Sequence, residues 1–137
     1  MNYLVDSDYV ADYLKGRSPA TTLLDTLFPE GLAISIVTFA EVYEGIHYGD
    51  NPKHYTLIFR RFLAGVTVLS ISRSVAKQFA IMRGQLRATP QGKALVQPKD
   101  TYDLFIAATA LQHKLTLVTR NLQDYDRIPH LKLYHPR

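Results

Sequence analysis

The sequence predicts an α/β fold in which helices cover both faces of a central, mainly parallel sheet. Short apolar runs alternate along the chain with longer segments whose apolar residues recur at helical spacing. This alternation is typical of strands joined by right-handed helical crossovers, which makes neighbouring strands parallel. The runs predicted as strands are residues 3–5, 32–37, 66–71 and 115–119, with residues 131–134 as a candidate edge strand.

Each predicted helix is bounded by residue types that commonly start or stop helices. Gly16 ends the first helix, Pro19 stands at the first position of the second, and Thr38 is predicted to cap the third. The predicted helices are residues 7–15, 19–29, 38–49, 52–63, 73–86 and 100–113. The polar segment 89–99, which contains two prolines and a glycine, is predicted as a flexible loop.

Length and composition indicate a single folded domain that covers residues 1–137. Hydrophobic residues make up 47% of the chain and charged residues 20%, which excludes a disordered protein. A chain of this length typically buries about two-thirds of the surface that its unfolded form exposes.

The residue content also excludes several kinds of site. The chain has no cysteine, so disulfides and thiolate zinc sites are impossible. No stretch is apolar enough to span a bilayer, and the N-terminus lacks the features of a signal peptide, so we expect a cytoplasmic protein. The net charge of +4 favours a polyanionic partner such as RNA, although the same charge also serves solubility.

Carboxylate and amide side chains stand directly after the predicted strands or in the first turn of the helices that follow them. They are Asp6, Glu41, Asp103, Asn121 and Asp124. Because ligands of open α/β sheets bind beyond the carboxyl ends of the strands, we expect these side chains to meet at one edge. Carboxylates without cysteine or clustered histidine suit Mg²⁺ or Mn²⁺, which would offset their mutual repulsion. Such a site can activate water and stabilise a phosphodiester during hydrolysis.

Each of these residues also fits a purely structural role at a helix N-terminus. Asp6 is placed to cap the first helix, and the spacing from Thr38 to Glu41 matches a capping box. Asp103 and Asp124 stand in first turns, where negative charge suits the helix dipole. Only their joint placement after successive strands favours the metal site.

Four stretches, taken in order, match a known pattern. They are residues 3–8 (Tyr-Leu-Val-Asp-Ser-Asp), 35–45 (Ser-Ile-Val-Thr-Phe-Ala-Glu-Val-Tyr-Glu-Gly), 103–110 (Asp-Leu-Phe-Ile-Ala-Ala-Thr-Ala) and 117–125 (Leu-Val-Thr-Arg-Asn-Leu-Gln-Asp-Tyr). Together they resemble the PIN-domain family, and within it the VapC toxins. That family usually shows Asn where Asp8 stands, and its fourth motif usually ends in Asp-Phe rather than Asp124-Tyr125.

The resemblance implies a three-layer α/β/α sandwich with four to five strands. It also implies a Mg²⁺- or Mn²⁺-dependent endoribonuclease that acts on RNA, is neutralised by a VapB-type antitoxin and forms homodimers and toxin–antitoxin hetero-oligomers. By position, Asp6, Glu41 and Asp103 match the metal ligands, and Asn121 falls on a fourth catalytic position that is Asp in some members. Since Asn is a weaker, neutral ligand, one firmly held metal is expected. Four further residues are expected around the ligands in auxiliary roles: Ser7, Asp8, Thr119 and Asp124. Of these, the hydroxyls of Ser7 and Thr119 are expected to hold carboxylates in place by hydrogen bonding.

Two other functions remain open at this point. The chain could be a non-catalytic module that binds RNA or a protein through a basic face. Asp6-Ser7-Asp8 also resembles the start of haloacid-dehalogenase-type phosphatases, in which Asp6 would be the nucleophile, but the rest of that family's pattern has no convincing counterpart.

Overall fold

Strands and helices alternate along the chain in the computed structural model, which describes residues 1–136. The strands are β1 (Tyr3–Val5), β2 (Leu32–Ser35), β3 (Val66–Leu69) and β4 (Thr116–Val118). The helices are α1 (Ser7–Leu14), α2 (Ala20–Leu27), α3 (Ile36–His47), α4 (Pro52–Leu63), α5 (Arg73–Arg87), α6 (Pro90–Lys93), α7 (Thr101–His113) and α8 (Leu122–Tyr125). Short 3₁₀ turns at Phe28–Glu30 and Pro98–Asp100 precede β2 and α7.

The four strands form one parallel sheet in the order β3-β2-β1-β4. Leu4 of β1 pairs with Ala33 on one side and with Leu117 on the other. The candidate edge strand at 131–134 is reduced to a single parallel bridge between Leu117 and Leu133. The predicted α/β fold with a parallel sheet is therefore confirmed.

Two apolar clusters lie on opposite faces of the sheet, because successive residues of a strand point to opposite sides. Leu4 packs in the cluster that includes residues of α5 and α7, whereas its neighbour Val5 packs with residues of α1, α2 and α4. Both side chains are fully buried. The sheet is therefore the middle layer of a three-layer sandwich, and the carboxyl ends of β1 and β4 are fixed between the helical layers.

The start of α3 differs from the prediction. Strand β2 stops at Ser35, whose buried hydroxyl accepts a hydrogen bond from the Val37 amide at 3.0 Å. Thr38, predicted as the cap, is fully buried inside the first turn of the helix. The predicted Thr38–Glu41 capping box is therefore wrong, and both side chains are available for other contacts.

The segment 89–99, predicted as a loop, contains the short helix α6 and most of a 3₁₀ turn. The Thr89 hydroxyl accepts a hydrogen bond from the Gly92 amide at 3.0 Å and caps α6. Leu95 is buried in the apolar cluster that contains Leu4 and residues of α5 and α7. The 3₁₀ turn that follows leads directly into α7. Local capping and one apolar anchor order this segment despite its polar composition.

Replacing Gly92 with Ala tests this packing. A Cβ at Gly92 would collide with the backbone carbonyl of Leu86, and backbone atoms cannot move aside cheaply. We expect Gly92→Ala to lower the free energy of unfolding by about 1–3 kcal/mol in urea denaturation. Gly84→Ala, at an open position inside α5, should instead raise it by up to about 1 kcal/mol. Equal effects of the two substitutions would contradict the packed arrangement.

In the part of the chain that the structure describes, no helix is long and apolar enough to cross a membrane.

Candidate active site

Asp6 stands where β1 ends and α1 begins, and two donors fix its carboxylate. Its Oδ1 accepts a hydrogen bond from the Ser7 amide at 2.8 Å, as expected for a helix cap. Its Oδ2 accepts from the Thr119 hydroxyl at 2.7 Å, just beyond the end of β4. Burial raises the pKa of Asp6, and these two hydrogen bonds oppose that rise because they favour the charged form. The carboxylate is thus both buried and rigidly oriented.

Glu41, one turn and a half into α3, is connected to the same strand end through Ser7. The Ser7 hydroxyl donates to Oε1 of Glu41 at 2.7 Å and lies 3.3 Å from Oγ1 of Thr38. Partial burial raises the pKa of Glu41, the Ser7 hydrogen bond lowers it, and the nearby charge of Asp6 raises it further. Ser7 therefore holds two acids in one place, one through its amide and the other through its hydroxyl.

Asp103, in the first turn of α7, completes a set of three carboxylates. Burial raises its pKa to about 6, and the charges of Asp6 and Glu41 add to the rise. Among the hydrogen bonds of residues 1–136, none reaches the carboxylate of Asp103. Three acids that are far apart in sequence therefore act on one another electrostatically, and one of them has no donor that orients it.

The other predicted site residues lie farther out. Asn121 is exposed, and its amide rather than its side chain takes part, donating to the Thr119 hydroxyl at 3.1 Å. Asp124 is an exposed residue of α8. Asp8 is exposed as well, and its carboxylate lies 3.6 Å from the guanidinium of Arg120. The structure therefore brings Asp6, Ser7, Glu41, Asp103 and Thr119 together and leaves Asn121, Asp124 and Asp8 at the rim.

Two residues near the site are not among those predicted from the sequence. Arg120 donates to Asp12 of α1 at 2.8 Å besides approaching Asp8, and so links the end of β4 to α1. Tyr125 is 2% exposed, and its hydroxyl lies close enough to Asp6 and Asp103 to affect the pKa of both. The tyrosine in place of the usual phenylalanine of the fourth motif was the available signal.

A groove with a volume of about 560 Å³ opens at this edge of the sheet and is bordered by Ser7 and Glu41. It runs between α1 and α3, and two cationic side chains, Lys15 and Arg17, also line it. The same groove has Asp8 and Asp50 on its walls, so its charge is mixed.

The donor set fits a hard divalent cation, because all the clustered groups offer oxygen and none offers sulfur. Their mutual repulsion, visible in the raised pKa of Asp103, is the condition that a cation relieves. Within residues 1–136, however, no three acidic or imidazole groups already lie close enough to hold an ion.

Comparison with known proteins agrees with the fold. The PIN-domain family model matches residues 3–131. The chain is 30% identical over 133 residues to the tRNA(fMet)-specific endonuclease VapC of Salmonella typhimurium, covering 97% of this chain and 96% of that protein.

Two solved structures are similar over nearly the full length. The VapBC2 structure of Rickettsia felis, bound to a promoter DNA fragment, matches with a TM-score of 0.84 at 24% identity and full coverage of both chains. A toxin–antitoxin complex from Klebsiella pneumoniae matches with a TM-score of 0.73 at 27% identity, covering 98% of this chain and 100% of that one. The chain therefore belongs to the PIN-domain family, and within it to the VapC ribonuclease toxins of VapBC toxin–antitoxin systems.

Proposed function

We propose that the protein cleaves RNA with a Mg²⁺ or Mn²⁺ ion held by Asp6, Glu41 and Asp103. The observation that carries the proposal is the meeting of these three acids at the carboxyl end of the sheet, where each has a raised pKa. Helix capping explains Asp6 alone, since the side chains of Glu41 and Asp103 cap no helix. The family to which the chain belongs supports the same interpretation.

The metal, when bound, would polarise a phosphodiester and lower the pKa of a water molecule. This chain's own residues orient the ligands. Thr119 and Ser7 fix the two oxygens of Asp6, and Ser7 also holds Glu41. We assign Ser7 and Thr119 to this orienting role because partners of ligating carboxylates are important for metal affinity.

The rim residues take lesser roles in the proposal. The backbone amide of Asn121 donates a hydrogen bond to the Thr119 hydroxyl. The exposed side chain of Asn121 is placed to contact the RNA or to offer the metal a weak fourth oxygen ligand. Asp8 is partly neutralised by Arg120, and Asp124 is exposed, so neither is assigned as a ligand. Because the site offers three carboxylates and one neutral side-chain amide, we propose that it holds a single ion firmly.

RNA would approach along the groove between α1 and α3. Lys15 and Arg17 on its walls offer phosphate contacts, in line with the net charge of +4. We also propose a VapB-type antitoxin as the neutralising partner and a toxin homodimer, because related chains are found in toxin–antitoxin complexes.

The test is RNA cleavage by wild type and by Glu41→Gln, with Mn²⁺ or Mg²⁺ and with EDTA. We use tRNA(fMet), the substrate in the name of the Salmonella relative, beside total RNA. We expect cleavage only with the metal, and a loss of at least about 100-fold in Glu41→Gln, since groups that stabilise developing charge typically contribute that much.

The matched control is Glu44→Gln, an exposed carboxylate one turn along the same helix, which should cleave like wild type. Equal cleavage in EDTA would refute the metal-dependent reaction. RNA binding without cleavage in any metal would favour the non-catalytic binding module, and release of phosphate from an aryl phosphate would favour the phosphatase.

A further inference from the structure

Tyr125 carries a buried polar atom that the fold itself does not use. The side chain is 2% exposed and packs in the apolar cluster with residues of α5 and α7. In residues 1–136, its hydroxyl is the buried side-chain polar group without a hydrogen-bond partner. Burying a hydroxyl without a partner destabilises the fold, whereas phenylalanine would fill the same space without that cost. The hydroxyl therefore calls for an explanation other than packing.

Within the described part of the chain, Asp103, the carboxylate without a hydrogen-bond donor, lines the same cavity as Tyr125, whose hydroxyl has no acceptor. Both oxygens of Asp6 already accept hydrogen bonds, and Oε1 of Glu41 accepts one from Ser7. Asp103 accepts none from the described residues. Of the three carboxylates, Asp103 is thus the one whose orientation is still open.

Tyr125 and Asp103 also face one space. Both line a small cavity of about 20 Å³, whose walls also include Asp100, Asp124 and three apolar side chains. Asp124 is exposed, and Asp100 accepts a hydrogen bond from the Gln97 amide. This volume has room for about one water molecule, which is enough to connect polar groups on its walls.

The hydroxyl of Tyr125 lowers the pKa of Asp103 and also that of Asp6, while burial and then the charges of Asp6 and Asp103 raise the pKa of the phenol. The phenol therefore lies near both acids, and of the two only Asp103 has no other donor among the described residues.

We propose that Tyr125 is a positioning residue of the site, whose hydroxyl donates to the carboxylate of Asp103 and turns its other oxygen toward the bound cation. The proposal rests on the metal-dependent function proposed above. It gives each of the three acids one side-chain hydroxyl as a donor: Thr119 for Asp6, Ser7 for Glu41 and Tyr125 for Asp103. A donor to a ligating carboxylate typically changes metal affinity by about 10–100-fold.

The test compares Tyr125→Phe with wild type by isothermal titration of Mn²⁺ and by thermal unfolding of the metal-free protein. We expect Mn²⁺ to bind at least about 10-fold more weakly to Tyr125→Phe. The Tm of the metal-free variant should equal or exceed that of wild type, because an unpartnered hydroxyl has been removed from the core.

Tyr13→Phe is the matched control. The Tyr13 hydroxyl donates to Asp25 at 2.9 Å on a different part of the surface, so its removal should leave Mn²⁺ affinity unchanged. A weaker Mn²⁺ affinity in Tyr125→Phe but not in Tyr13→Phe, without loss of Tm, is the result that supports the positioning role.

Two results would overturn the role of Tyr125 alone. One is wild-type Mn²⁺ affinity in Tyr125→Phe, and the other is a lower Tm of the metal-free variant, which would mean that the hydroxyl already stabilises the fold. If wild type itself neither binds Mn²⁺ nor cleaves RNA, the proposed metal-dependent function fails and the positioning role fails with it.

Discussion

Asp103→Asn is expected to abolish most RNA cleavage while making the metal-free protein more stable. Cleavage should fall by about 100- to 1,000-fold, since the variant loses a charged oxygen at the point where charge develops on the phosphate. Stability should rise because the wild-type carboxylate is partly buried beside Asp6 and Glu41, and both charges oppose its ionisation. Such opposite effects on activity and stability distinguish a functional carboxylate from a helix cap, whose loss typically lowers stability by about 1 kcal/mol.

The pH dependence of stability tests the same carboxylate in a second way. The pKa of Asp103 is about 6 in the folded protein, against 3.8 for an unperturbed aspartate, so the folded state binds the proton more tightly. Its stabilising contribution is therefore fully present below about pH 4 and is lost as the pH rises through 6. After allowance for solvent screening of a half-buried group, we expect Asp103 to make the free energy of unfolding about 1 kcal/mol higher at pH 5 than at pH 7.5.

Urea denaturation of the metal-free proteins at both pH values measures this difference. Wild type should gain more stability than Asp103→Asn on going from pH 7.5 to 5, and Asp103→Asn should be the more stable of the two at pH 7.5. Asp126→Asn, an exposed acid after α8, serves as control and should change stability by less than about 0.5 kcal/mol. Lower stability of Asp103→Asn at pH 7.5 would argue that the carboxylate is structural.

Thr119→Val is expected to weaken both the fold and the metal site. The hydroxyl donates to Oδ2 of Asp6 and accepts from the amide of Asn121, so valine of nearly the same shape removes two hydrogen bonds. Asp6 would then be a buried carboxylate with one oxygen unpartnered, which costs about 1–3 kcal/mol. We expect this loss in the free energy of unfolding and a roughly 10- to 100-fold weaker Mn²⁺ affinity.

Thr109→Val is a suitable control for that experiment. Thr109 is also fully buried, but its hydroxyl donates to the Phe105 carbonyl within α7 and does not contact the acids. Titration of Mn²⁺ should therefore give wild-type affinity for this control. If Thr119→Val bound Mn²⁺ as tightly as the control does, Thr119 would not be an orienting partner of Asp6.

The sequence by itself determined the fold class and the order of the main strands and helices, and it predicted the three acids of the proposed site. These features depend on short-range patterns: apolar runs of strand length, helical spacing, and polar residues placed directly after strands. Because parallel strands bring their carboxyl ends to one edge, acids that are distant in sequence could be assigned to one site from the strand pattern alone.

Only the tertiary structure decided how those acids are held. The sequence predicted Thr38 as the cap of α3, whereas the structure uses Ser35, because β2 stops pairing with β3 at Ser35 and Leu69. Similarly, segment 89–99 looks flexible by composition, yet the Thr89 cap and the burial of Leu95 order it.

The contacts that orient the site are longer in range still. Thr119 and Asp6 are 113 positions apart, and Ser7 and Glu41 are 34 apart, so no local pattern predicts their hydrogen bonds. Tyr125 stands where the fourth motif usually has phenylalanine, and only the packed structure shows its hydroxyl without a partner among the described residues, in the cavity that Asp103 also lines. Side-chain orientation depends on neighbours supplied by the whole fold. The sequence therefore pointed to Ser7 and Thr119 as hydroxyls that hold carboxylates, but only the structure shows that Ser7 donates to Glu41 and Thr119 to Asp6.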